Sequence, residues 1–123
     1  MKIIIIEDEK PAARLLQRKL EKLNFSAEVM LHSVEESLDW FCENQHPDLI
    51  FLDIEMPLMD GWDFMNHIES LMKEHSLVDI KIYIVSSSIS HEDFEKAESN
   101  KNVLGYYSKP IKAEEITAII MNN

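Results

Sequence analysis

The feature that most constrains this chain is an alternation. Short, continuous apolar runs alternate with amphipathic helical stretches along the sequence. The runs are Ile3–Ile6, Asp48–Leu52, Ile80–Val85 and the shorter Val103–Tyr107. A more polar run, Ala27–His32, suits a place nearer a sheet edge. They are rich in Ile, Val and Tyr and lack polar alternation, so they read as strands buried on both faces, as in a parallel sheet.

The helical stretches have their own signals. Pro11 to Leu23 sets Ala12, Leu16, Leu20 and Leu23 on one stripe, with Pro11 suited to the first turn. Ser33-Val-Glu-Glu36 reads as a capping box, opening a helix that buries Val34, Leu38 and Phe41 and leaves Trp40 off the stripe. Gly61 to Glu74 carries Met65, Ile68 and Met72 at helical spacing. Ser90-His-Glu-Asp93 opens a short helix with Phe94 and Ala97, and Lys112 to Met121 carries Ile116, Ile119 and Ile120. Strands and helices alternating at these lengths imply βαβ units with right-handed crossovers. The expected fold is α/β and flavodoxin-like, (βα)5, with a five-stranded parallel sheet in the order 2-1-3-4-5 and helices on both faces. The 123 residues fit a single domain, 1–123.

Composition narrows the function. The formal charge of −11 repels phosphate backbones and anionic lipid, so neither nucleic acid nor a membrane surface is an expected partner. The lone Cys42 cannot form an internal disulfide, which suits a reducing, cytoplasmic setting. The apolar run before Glu7-Asp8-Glu9 is too short for a signal-peptide core. Gly61 and Gly105 are the only glycines, so neither a P-loop nor a dinucleotide fingerprint can be written. The histidines have neither HxxxH spacing nor cysteine companions, against a zinc site.

In a sheet of this kind ligands bind beyond the carboxyl ends of the strands. Glu7, Asp8 and Glu9 follow strand 1, Asp53 follows strand 3, Ser86-Ser87-Ser88 follow strand 4, and Lys109-Pro110 follow strand 5. Two carboxylates about 4 Å apart repel by about 4 kcal/mol at an effective dielectric of 20. Glu7, Asp8 and Asp53 gathered at one edge therefore call for positive charge, of which Lys109 supplies one unit. Mg²⁺ fits the remainder best, since it takes one or two carboxylates, keeps waters and meets phosphate. A carboxylate beside Mg²⁺ and a lysine suits nucleophilic phosphoryl transfer through an aspartyl phosphate.

These residues resemble a response-regulator receiver domain over essentially the whole chain. The likeness runs through Ile3-Ile-Ile-Ile-Glu7-Asp8-Glu9 and Asp48-Leu-Ile-Phe-Leu-Asp53-Ile-Glu-Met-Pro57-Leu-Met-Asp-Gly61, then through Ile82-Tyr-Ile-Val-Ser86-Ser and Gly105-Tyr-Tyr-Ser-Lys109-Pro110. The resemblance implies that Asp53 is the phospho-acceptor and that Glu7, Asp8, Asp53 and the backbone carbonyl of Glu55 hold Mg²⁺. It makes Lys109 the phosphate-pairing lysine, Ser86 the switch hydroxyl and Tyr106 a switch aromatic, with a cis Lys109–Pro110 peptide. The serine run leaves Ser87 as the next candidate for the switch. Ser86 stands where threonine is commoner and Glu7 where a first aspartate is commoner, and 98–103 lacks the usual small pair before strand 5.

The implied function is a phosphorylation-switched signalling module, a regulator rather than an enzyme. A histidine kinase or histidine phosphotransfer protein is its expected donor. The fourth helix, fifth strand and fifth helix form the face read by a downstream protein or, in the family, by a second copy in a homodimer. No output domain is expected within the chain. A receiver used only as a phosphorylation-independent scaffold is the alternative. A haloacid-dehalogenase-type phosphatase also forms an aspartyl phosphate, but from the end of strand 1, where Glu7 and Glu9 are poor substitutes. A flavodoxin needs a hydroxyl-rich phosphate loop after strand 1, where acids stand instead.

Overall fold

The computed structural model describes residues 2–30, 47–55, 61–74, 80–87 and 90–122, and the side chains of all of these except 28–30. The strands are β1 (Ile3–Ile6), β2 (Ala27–Met30), β3 (Leu49–Leu52), β4 (Lys81–Ser86) and β5 (Val103–Ser108). The described helices are α1 (Lys10–Lys22), α2 (Gly61–Glu74), α3 (His91–Ser99) and α4 (Ala113–Met121). The helix expected from Ser33, with Val34, Leu38, Trp40, Phe41 and Cys42, lies outside the described residues, as do His32, Pro57 and Ser88. The fourth and fifth helices of the sequence pattern are thus α3 and α4.

All pairings are parallel, and the five strands form one sheet in the order β2-β1-β3-β4-β5. Every residue of β1 and β3 is buried, because the central strands are covered on both sides. Alternation sorts their side chains between two layers. Ile3, Ile5, Leu49, Phe51, Tyr83 and Val85 pack with Leu16 and Leu20 of α1 and Ile116 and Ile119 of α4. Ile4, Ile6, Ile50, Leu52 and Ile82 face Phe64, Met65, Ile68 and Met72 of α2. Ile54, Ile84 and Ala97 of α3 form a smaller group, with Trp62, Val103 and Tyr106 against it. This layering leaves the carboxyl edge of β1, β3 and β4 as the place where polar groups meet the core.

Two helix faces differ from expectation. On α1 the fully buried alanine is Ala13, while Ala12 is only half-buried. On α3 Phe94 is 43% exposed, because α3 meets the sheet through Ala97. The Phe94 ring rests edge-on against Tyr106, with centroids 5.9 Å apart.

The end of α1 shows how a glycine-poor chain stops a helix. Asn24 adopts φ 68°, its N–H donates to the Glu21 carbonyl at 2.9 Å, and the Phe25 N–H donates to the Leu20 carbonyl at 2.9 Å. This is a Schellman closure with asparagine in the left-handed position. Asn24→Val is expected to destabilise the domain by about 1–2 kcal/mol, since a β-branched residue is strained there, and Asn24→Gly should cost nothing. Urea unfolding midpoints compare the two, and equal midpoints would contradict the assignment. At the end of α3, Asn100 is the C-cap, with extended backbone. Its Oδ1 accepts from the Asn102 N–H at 2.9 Å and its Nδ2 donates to Glu69 Oε1 at 3.0 Å.

Candidate functional site

The site grows from the ends of the buried strands. β1 runs into Glu7, β3 into Asp53, β4 ends on Ser86, and β5 leads into Lys109. Parallel pairing in this register brings these four to one edge. Glu7 and Asp53 are each only 4% exposed and Ser86 is fully buried. Polar groups at such positions need partners. Asp53 Oδ1 accepts from the Glu55 N–H at 2.9 Å, and Asp53 Oδ2 accepts from Lys109 Nζ at 3.0 Å. Lys109 Nζ also donates to Glu7 Oε1 in a close ion pair. The Asp53 N–H donates to the Ile6 carbonyl at 3.0 Å, which fastens the acid to β1. The Lys109 N–H donates to the Ser86 carbonyl at 3.0 Å, which fastens the lysine to β4. The Lys109–Pro110 peptide is cis.

The two candidate hydroxyls face different ways. Ser86 is buried, whereas Ser87 is exposed and its Oγ donates to Glu55 Oε2 at 2.7 Å. Tyr106 lies half-buried on β5, between Phe94 and the Ile54–Ile84–Ala97 group.

Glu7, Asp8 and Asp53 can each bring one carboxylate oxygen within 4.8 Å of the others, with Asp8 the most exposed of the three. One lysine does not balance three acids. Burial pushes the Glu7 carboxyl up to about 7, helped by the hydrogen bond and charge of Asp53 and opposed by Lys109. Burial works against the Lys109 charge, but the Glu7 and Asp53 carboxylates outweigh it and raise its pKa. An excess of hard anionic oxygens in a buried cup is a donor set that suits a hard divalent cation such as Mg²⁺.

Gly61 belongs to the site in a way its helix-start position does not reveal. Its N–H donates to the Ile54 carbonyl at 3.0 Å, which ties the start of α2 to the residue after Asp53. A Cβ there would lie 2.5 Å from Ile54 Cα and 2.7 Å from the Asp53 carbonyl oxygen, both backbone atoms. Gly61→Ala is expected to destabilise the domain by about 2 kcal/mol through overpacking. An unchanged urea midpoint would mean that the backbone at Asp53 and Ile54 yields freely to the added methyl group. Two signals mark Gly61 in the sequence: its place at the end of the Asp48–Gly61 motif, and the rarity of glycine in a chain that has only two.

A doubly wound parallel sheet with a cation-seeking acidic cup and a lysine at its carboxyl edge defines the class. Residues 3–121 match the response regulator receiver domain family. The chain belongs to that family, whose members are regulators of two-component and phosphorelay signalling. It is similar to the probable methanogenesis regulatory protein FilR2 of Methanothrix harundinacea, with 27% identity over 93% of this chain and 75% of that protein. It is 29% identical to the cyclic di-GMP phosphodiesterase response regulator RpfG of Xanthomonas campestris over 99% of this chain, but spans only 31% of that relative's length. In fold it is similar to a two-component response regulator from Clostridium difficile, with a TM-score of 0.81, 24% identity, and 99% and 93% of the two chains covered. No described helix is long and apolar enough to cross a membrane.

Proposed function

We propose that this receiver accepts a phosphoryl group on Asp53 from a histidine kinase or histidine phosphotransfer protein. One observation carries the reading: a buried carboxylate held at one oxygen by the Glu55 N–H and at the other by Lys109, next to two further acids. Holding the carboxylate by both oxygens fixes its orientation, which is the main requirement for phosphoryl transfer. An Asp53 oxygen attacks phosphorus, an acyl phosphate bond forms, and the donor's P–N bond breaks, its electrons returning to the imidazole. Glu7, Asp8, Asp53 and the Glu55 carbonyl would hold Mg²⁺, which supplies neutralisation of the phosphoryl oxygens. Lys109, freed from Asp53 Oδ2, pairs with another of those oxygens, and the Ser86 hydroxyl follows a third. Tyr106 carries the change to the face of α3, β5 and α4, where Phe94 and Leu104 are exposed.

In this reading the domain spans 1–123 and works in the cytoplasm as a regulator rather than an enzyme. It speaks to protein partners or to a second copy of itself, and not to nucleic acid or membrane. Support for a histidine-kinase donor comes from similarity to parts of hybrid signal transduction histidine kinases K and L of Dictyostelium discoideum. The test is intact mass after incubation with acetyl phosphate, with and without Mg²⁺. One phosphoryl adduct that requires Mg²⁺ is the expected result. No adduct, either there or with a panel of histidine kinases, would overturn it in favour of a phosphorylation-independent scaffold.

A further inference from the structure

We propose that Lys19 is a positioning residue for the chemistry at Asp53, acting through the backbone of the segment that carries Lys109. This rests on the phospho-acceptor reading of Asp53. Lys19 sits in the last turn of α1, half-buried, and its Nζ donates to the Ile111 carbonyl at 2.6 Å. That bond joins residues 92 positions apart. Ile111 lies two residues beyond Lys109 and its side chain is 3% exposed, in the layer that holds Leu16, Leu20 and Ile116.

The segment from Lys109 to Ile111 is pinned at two points. At one end the Lys109 N–H meets the Ser86 carbonyl at 3.0 Å; at the other the Ile111 carbonyl meets the Lys19 ammonium. The Ile111 carbonyl precedes α4 and lies outside its helical bonding. A bond from an ammonium to a carbonyl is charge-assisted and stronger than a neutral one. Lys19 also lines, together with Glu7, Asp53 and Lys109, a cavity of about 80 Å³ between α1 and the sheet. Packing against Leu16 and Leu20 holds the Ile111 side chain, and the ammonium bond adds a directed restraint on its backbone carbonyl. Lys109 must aim one ammonium at Glu7 and Asp53 together, and a small drift of its backbone would spoil both contacts. Misplacement on the order of 1 Å can cost a reaction about 100-fold.

The test compares wild type, Lys19→Met and Lys19→Arg in the full chain. Phosphoryl uptake from acetyl phosphate is followed over a range of donor concentrations, at a temperature well below each variant's unfolding transition. Lys19→Met keeps the stem's length and removes the donor. It is expected to lower the maximal rate about tenfold at an unchanged half-saturating donor concentration, and Lys19→Arg should restore most of the rate. A purely structural role would lower the unfolding temperature and leave the maximal rate alone. A reacting wild type with Lys19→Met at the same maximal rate overturns this proposal alone. A wild type that takes up no phosphoryl group overturns the reading of Asp53 and this proposal with it.

Discussion

Asp53→Asn is expected to abolish phosphoryl uptake while leaving the fold at least as stable as wild type. The first half follows from chemistry, because an amide oxygen is no nucleophile for phosphorus and yields no stable acyl phosphate. The second half follows from the charges. Asp53 is 4% exposed and faces Glu7, which is equally buried. Burial, then the hydrogen bond and charge of Asp53, hold the Glu7 carboxyl up at about 7. A carboxyl whose folded pKa is raised penalises the folded state once it must ionise. The penalty is absent below about 4.5 and complete above about 7. Asparagine removes the neighbouring charge and offers Glu7 an N–H, while Lys109 keeps its partner in Glu7. In a chelating buffer the variant should gain about 1 kcal/mol at pH 8 and less at pH 5. Intact mass and urea unfolding read the two effects separately. A variant that still gains a phosphoryl group would move the acceptor elsewhere. One that unfolds more easily at pH 8 would mean that the Asp53–Lys109 pair outweighs the repulsion.

What the sequence made legible, and what it did not, follows from the range of the forces involved. Ile3–Ile6 and Leu49–Leu52 are readable because burial on both faces leaves an unbroken apolar run, a local signal. Glu7, Asp53 and Lys109 are readable together because topology alone carries strand ends to one edge. The rotation of a helix about its axis is another matter. A period near 100° per residue gives the width of a stripe but leaves its centre open by about one residue, which is why Ala13 and not Ala12 meets the core. Phe94 is likewise a rim residue because the small Ala97 sets how closely α3 approaches. Asn24 is hard to see because it takes a left-handed conformation that glycine usually fills, and Asn100 because its side chain closes the end of α3 on extended backbone. Lys19 could not be found at all, since its bond to Ile111 depends on where α1 settles against a segment far along the chain.

Lys109→Met is expected to cost the metal-free domain about 2–3 kcal/mol, the largest stability loss expected at the site. Lys109 Nζ binds both Glu7 and Asp53, and no other ion pair to these acids exists among the described residues. Breaking a buried ion pair from one side typically costs about 3–5 kcal/mol, because the remaining charge is left unpaired. Here the cost stays below that range, because Glu7 can take a proton and share it with Asp53. Methionine nearly preserves the volume and flexibility of the lysine stem, so the loss reports charge rather than packing. Urea unfolding in a chelating buffer at pH 8 should show the full difference. Excess Mg²⁺ should recover most of it, since a divalent cation replaces the missing positive charge among the same three carboxylates. If the variant matched wild type without metal, the attraction of Lys109 to the two acids would be cancelled by the cost of burying its ammonium. Asp53 would then need Lys109 only once the phosphoryl group has arrived.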